Sequence, residues 1–340
     1  LYSLSKSFTS AAVGLAADAG LLDVQERVVD IFPEKCPPQI GEKLSRMRVR
    51  HLLSMTSGHA ACPLTRMRFA EDAVRVFLAE PVEYEPGEKF VYSTGATCVC
   101  AAAVERRSGK TLVDFLYPRL FAPLGIEKPH WNTCADGTTV GGTGLYLSLD
   151  DLSAFGKMLL GGGVYEGKRV LPEAWVREAT RPHSVDAQNG SPDWTCGYGY
   201  QFWMNRRGGF RGDGAYGQLC VILPEEDAVF LQLGEVTNMQ TELDLIYRLL
   251  DTIATAQPQE PSDDALRALA QNRYRTRPAP PLTSTLEYSA SENPAGIRAL
   301  MFAAEKDALR LTLHTADGAE TLLCGSGRYL QNRLRLRYMS

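Results

Sequence analysis

What the 340-residue sequence lacks removes several classes of function. No apolar run approaches the length of a membrane span, because even Ala11–Leu22 is interrupted by Asp and Gly. There is no Lys/Arg block: 36 basic residues against 40 acidic ones give a formal charge of -4, so nucleic acid is not an expected partner. Eight cysteines, at 36, 62, 98, 100, 134, 196, 220 and 324, form no Cys-x-x-Cys pair and no Cys/His cluster at zinc spacing. The glycine runs at 141–144 and 161–163 lack a following Lys-Ser/Thr and lie outside a βαβ setting, so no nucleotide loop is suggested and no cofactor is expected. Scattered cysteines favour free thiols in a reducing, cytoplasmic compartment; an extracytoplasmic location follows if a segment precedes Leu1.

The composition that remains, 44% hydrophobic and 22% charged, fits a globular chain of about two domains. Apolar spacing predicts a helix over Ser3–Ala19, a short helix and loop over Val24–Pro38, and helices over Val49–Met55, Phe69–Leu78, Thr97–Ser108, Leu149–Leu160 and Pro172–Thr180. Beyond residue 196 the texture turns to strands over Gly197–Met204, Gln218–Leu223 and Ala228–Gly234, and Thr241–Ala254 returns to a helical period. The expectation is an α+β fold: an antiparallel sheet flanked by helices, with an inserted helical region, over 1–256. A linker over 257–284 carries a short helix, Ala265–Arg273. A small β-rich appendage, 285–340, is expected from alternating runs at Leu286–Ser289, Ile297–Phe302, Leu309–Leu313 and Glu320–Cys324.

Ser3 and Lys6, three apart at a helix start, share one face. An uncharged Lys accepts the proton of a neighbouring Ser hydroxyl where burial lowers its pKa, and the helix N-terminus favours a developing oxyanion. The spacing alone is weak, but ordered blocks follow it. These are Arg50-His51-Leu52-Leu53-Ser54-Met55-Thr56-Ser57-Gly58, then Tyr84-Glu85-Pro86-Gly87-Glu88-Lys89-Phe90-Val91-Tyr92-Ser93-Thr94, Pro123-Leu124-Gly125, Gly141-Gly142-Thr143-Gly144-Leu145-Tyr146 and Gly197-Tyr198-Gly199-Tyr200.

Over residues 1–255 this series resembles the β-lactamase-like superfamily of serine hydrolases: penicillin-binding proteins, class C β-lactamases and related esterases and amidases. The resemblance implies Ser3 as nucleophile, Lys6 beside it, and Tyr92, at the Tyr-x-Asn position, as general base. Thr94 replaces the Asn that would bind a peptide-like carbonyl. The third element, Lys-Thr-Gly or His-x-Gly in the family, falls on Gly212-Asp213-Gly214, which gives the oxyanion N–H pair to Ser3 and Ala215 and makes Asp213 and Gly214 substrate-binding candidates. Gly212 supplies no cation for a substrate carboxylate, and Asp213 repels one unless Arg211, on the same strand face, pairs with it. Weak activity on penicillins and D-alanyl peptides follows.

Tyr146, Trp131 and Trp203 either line an acyl pocket or pack in the core. His51 is expected to support the fold, and the sequence identifies no partners for His130 or His183. The functional expectation is acyl-enzyme hydrolysis of an ester or amide in a small molecule or peptide. The alternatives are a D-alanyl carboxypeptidase or β-lactamase and, from another class, a non-catalytic relative that binds cell-wall peptides or a protein partner. Relatives carry N-terminal strands before the Ser-x-x-Lys helix, whereas this sequence begins two residues before Ser3; the strands either lie outside it or are supplied by the C-terminal region or a neighbouring chain, and without them the sheet would have an exposed edge.

Overall fold

The computed structural model describes residues 1–186, 190–255, 285–291, 297–305, 308–315 and 318–325. They fall into two compact units, Leu1–Thr255 and a second drawn from the chain after Thr255. In the first, a 3-10 turn over Tyr2–Leu4 leads into α1 (Ser5–Asp18). The helical stretch continues through α2 (Val28–Ile31), α3 (Glu42–Arg46), α4 (Val49–Leu53), α5 (Leu64–Arg68), α6 (Ala73–Ala79), α7 (Thr94–Ser108) and α8 (Leu112–Leu116). Then come α9 (Leu149–Leu160), a hairpin of β1 (Val164–Tyr165) and β2 (Lys168–Arg169), and α10 (Glu173–Ala179). Strands β3 (Trp203–Met204), β4 (Phe210–Gly214), β5 (Gln218–Leu223) and β6 (Ala228–Leu233) precede α11 (Met239–Thr255).

The sheet is antiparallel in the order β3-β4-β5-β6. Its β5 is apolar on both faces because both are covered. Leu219, Val221 and Leu223 pack with Leu243, Ile246 and Tyr247 of α11, while Cys220 and Ile222 join the main core on the side of α9. Helix α1 is buried from Ser5 to Gly14 and α7 from Gly95 to Val104. Their Ala, Ser, Thr and Gly content suits helices packed on every side. The Ser93 hydroxyl caps α7, accepting from the Ala96 N–H at 3.2 Å, so the helix starts three residues earlier than expected and Tyr92 sits directly before its cap.

Two expected elements differ. The helix over Phe69–Leu78 is instead α5 and α6, separated where Asp72 caps the Arg75 N–H at 2.9 Å. The strand over Gly197–Met204 is reduced to β3, because the chain turns tightly there: Gln201 has a φ of 68° and Tyr198 bridges both Ser184 and Trp203. The buried Gln201 amide holds the turn, accepting from the Thr97 hydroxyl at 2.7 Å and donating to the Leu53 carbonyl at 2.7 Å. Among the described residues β6 is an outer strand of the sheet.

The second unit is an antiparallel sheet in the order β10-β9-β8-β7, built from β7 (Leu286–Ser289), β8 (Ile297–Glu305), β9 (Ala308–Thr315) and β10 (Gly318–Gly325). These strands stand where alternation predicts them. The expected linker 257–284, its helix Ala265–Arg273 and residues 326–340 lie outside the described residues.

Candidate active site

Ser3 lies in the 3-10 turn rather than in α1 itself, and Lys6 one turn later reaches back to it. The Lys6 Nζ is 3.1 Å from Ser3 Oγ, 2.9 Å from Thr94 Oγ1 and 2.8 Å from the Gly142 carbonyl oxygen. Gly142 is glycine for a steric reason: a Cβ there would stand 2.6 Å from the Thr94 methyl. Burial of Lys6 brings its pKa down to about 7, with the negative charge of Asp213 opposing the shift. Its ammonium lies 4.8 Å from the centre of the Tyr92 ring.

Tyr92 hydrogen-bonds Ser3, but burial and Asp213 push its phenol well above the ordinary range. A phenolate is therefore disfavoured, and of the two groups beside Ser3 it is Lys6 that reaches its basic form near neutral pH.

The third segment is strand β4. Among the described residues its outer edge pairs with β3 at Phe210 and Arg211 and with no strand beyond them. Alternation sends Gly212 and Gly214 to the face covered by the N-terminal turn, and Arg211 and Asp213 to the other. A Cβ on Gly214 would fall 2.2 Å from the Leu1 carbonyl oxygen. Gly214 thus allows close approach of the turn that carries Ser3, and it does not line the cavity as a substrate-binding residue would. Tyr2 packs edge-on against Tyr216 at 5.3 Å, joining the Ser3 turn to the β4–β5 hairpin.

A cavity of about 310 Å³ opens at Ser3, lined also by Tyr92, Asp186, Trp194, Trp203, Asp213 and Ala215. A larger hollow, about 780 Å³, lies at the other end of α1 beside Trp175 and contains none of these residues. Arg211 is fully buried behind the wall. Its Nε donates to Asp213 at 3.0 Å, Nη1 to the Met204 carbonyl at 3.0 Å and to Asn205 at 3.2 Å, and Nη2 to the Asp193 carbonyl at 3.1 Å. The guanidinium lies 4.7 Å from the Trp194 ring centre and 5.9 Å from that of Trp203. Trp203 stacks on Tyr92 at 5.7 Å.

Of the residues singled out by sequence, Ser3, Lys6, Tyr92, Thr94, Trp203, Asp213 and Ala215 are thus brought together. Tyr146 is not: it is 61% exposed, beside His130 at 5.4 Å, and lies outside the Ser3 cavity. Trp131 is buried and donates its indole N–H to the Thr143 carbonyl at 2.9 Å, bracing the 141–144 segment. His51 works inside the fold, its Nδ1 accepting from the Arg48 N–H at 3.1 Å. His130 pairs with Asn132 Oδ1 at 3.1 Å, and His183 stacks on Tyr200 at 3.9 Å. Asp186, outside any helix or strand, and Trp194, at the end of a three-residue 3-10 turn, escaped the sequence reading because neither stands in a periodic run or a motif. Among the described residues seven cysteines are free thiols, no His/Cys/Asp/Glu group could hold a metal ion, and no helix is long and apolar enough to cross a membrane.

A family model described as Beta-lactamase matches residues 1–281. The chain is 28% identical over 268 residues to the 6-aminohexanoate-dimer hydrolase of Paenarthrobacter ureafaciens, covering 71% of this chain and 67% of that one. It is 28% identical over 138 residues to penicillin-binding protein 4* of Bacillus subtilis strain 168, covering 38% and 29%. The chain thus spans about two thirds of the first relative and under a third of the second. The solved octameric penicillin-binding protein homologue from Pyrococcus abyssi superposes with a TM-score of 0.58 at 15% identity, covering 95% of this chain and 78% of that one.

Proposed function

The chain belongs to the β-lactamase family, and on that premise we propose that it hydrolyses an ester or amide bond of a small molecule or peptide through an acyl-enzyme on Ser3. The observation that carries the reading is the 3.1 Å contact between Ser3 Oγ and a Lys6 amine whose ammonium form is destabilised by burial. Neutral Lys6 accepts the Ser3 proton as Oγ bonds to the substrate carbonyl carbon. The oxyanion is held by the N–H groups of Ser3, in the 3-10 turn before α1, and of Ala215, just beyond the end of β4. Collapse breaks the bond to the leaving group, which takes a proton from the Lys6 ammonium by way of the still-protonated Tyr92. Water then repeats the sequence on the acyl-enzyme, regenerating Ser3 and releasing an acid.

Tyr92 is therefore assigned as proton relay and donor, and Lys6 as base, in place of the phenolate base that the family resemblance implies. Thr94 helps hold the Lys6 amine, through the 2.9 Å contact to its hydroxyl. Labelling of Ser3 by a fluorophosphonate tests the reading. Ser3→Ala is expected to abolish the label and Lys6→Ala to slow it by at least ~10². Undiminished labelling of the Ser3→Ala protein overturns the assignment.

A further inference from the structure

Two of the free thiols touch, and neither lines the Ser3 cavity. The Sγ atoms of Cys98, on α7, and Cys134 are 3.9 Å apart. Cys98 is fully buried and Cys134 nearly so, but Cys134 opens a surface turn, its carbonyl accepting from the Gly137 N–H at 3.0 Å. Thr133, Ala135, Asp136 and Gly137 around it are exposed, so a small solute reaches the pair from that side. The hydrogen bond between the thiols lowers the pKa of Cys134, against the effect of burial, and raises that of Cys98, so Cys134 is the sulfur that ionises first.

We propose that Cys98 and Cys134 are a modification site, which a peroxide joins in a disulfide that ties α7 to the 131–145 segment. The Cys134 thiolate attacks one peroxide oxygen and breaks the O–O bond, leaving a sulfenic acid and one water. The Cys98 sulfur then attacks the Cys134 sulfur, forming the S–S bond as the S–O bond breaks, and the departing hydroxide takes the Cys98 proton as a second water. Two thiols are oxidised by two electrons and the peroxide is reduced. The final bond of about 2 Å asks the sulfurs to close by roughly 2 Å, within reach of rotation about the two Cα–Cβ bonds and a small shift of the exposed turn.

Both tied elements hold Lys6. Thr94, one turn before Cys98 on α7, meets its amine at 2.9 Å, and the Gly142 carbonyl accepts from it at 2.8 Å. Gly142 is joined to Cys134 by the pairing of Thr133 with Thr139 and of Trp131 with Leu145. The disulfide therefore fixes the two supports of the amine to each other. The crosslink itself stands apart from the hydrolase reading, whereas its bearing on Lys6 rests on it.

Folded protein treated with a few equivalents of hydrogen peroxide, alkylated and digested without reductant tests the site. The expected product is a linked peptide lighter than its separate halves by two hydrogens, split by dithiothreitol, whose fragmentation places the bond at Cys98 rather than at the neighbouring Cys100. The oxidised protein is expected to unfold at least about 3 °C above the reduced form, because the bond closes a loop across 36 positions of the unfolded chain. Cys134→Ala is expected to give neither the linked peptide nor the shift. No link under conditions that oxidise the exposed Cys62, or a link from Cys98 to a different cysteine, overturns the proposal. A linked protein whose unfolding temperature is unchanged or lower overturns the tethering of the two elements. Absence of Ser3 labelling in both forms counts against the hydrolase reading and leaves the crosslink standing.

Discussion

If Lys6 is the base of the proposed mechanism, its titration sets the pH dependence of acylation. An ordinary lysine amine near 10.5 is neutral in only about one molecule in 3,000 at pH 7. Burial brings Lys6 to about 7, so that about half is neutral at pH 7, about a tenth at pH 6 and about a hundredth at pH 5. Burial alone thus supplies a roughly thousandfold gain in competent base at neutral pH. The expected profile of kcat/KM for a neutral p-nitrophenyl ester rises tenfold per pH unit below 7, bends near 7 and is flat to about pH 9. The bend belongs to the free enzyme, and the rate of fluorophosphonate labelling should bend at the same place. A profile flat from pH 5.5 to 8, or one still rising at pH 9, refutes Lys6 as the base.

Other perturbations have signs that follow from the same contacts. Tyr92→Phe is expected to slow hydrolysis of an alkyl amide by ~10² or more and of a p-nitrophenyl ester much less, since only the amine must be protonated to leave; equal losses would count against a donor role. The lowered pKa of Lys6 means that the unfolded chain binds its proton more tightly, so the fold carries a cost of roughly 4–5 kcal/mol below pH 7 that is relieved as pH rises towards 10.5. Lys6→Met is therefore expected to raise the unfolding free energy at pH 7 by about 1–3 kcal/mol net of lost hydrogen bonds, with the gain shrinking at pH 10; destabilisation at both pH values contradicts this. Gly214→Ala drives a methyl into the Leu1 carbonyl and is expected to reduce Ser3 labelling through displacement of its turn. Arg211→Met leaves Asp213 buried without its cation and should cost about 3–5 kcal/mol in chemical denaturation.

How much of this was legible depended on how local each feature is. Ser3 and Lys6 meet within one turn of chain, so their pairing is written in their spacing. Tyr92 is legible through the cap residue beside it and the blocks that precede it. The Gly-Asp-Gly segment reads correctly only as a strand, since alternation alone sends Asp213 towards the cavity and the glycines under the N-terminal turn. The tight turn at Gln201 was not legible, because it is held by the side chain's bonds to Thr97 and Leu53, more than a hundred residues away. The same distance hides the cavity wall. Trp194 is presented to Ser3 because its neighbour Asp193, fully buried, accepts from the Tyr247 hydroxyl at 2.7 Å and the Gln240 amide at 2.7 Å on α11. The Asp193 carbonyl in turn takes Nη2 of Arg211, the residue that holds Asp213. Helix α11, which supplies no residue to the cavity, therefore braces both the aromatic and the acidic part of its wall. The proposed nucleophile and base lie in one short motif, whereas the cavity wall is held by a hydrogen-bonded chain from α11 through Asp193 and Arg211 to Asp213, and only the folded molecule brings that chain together.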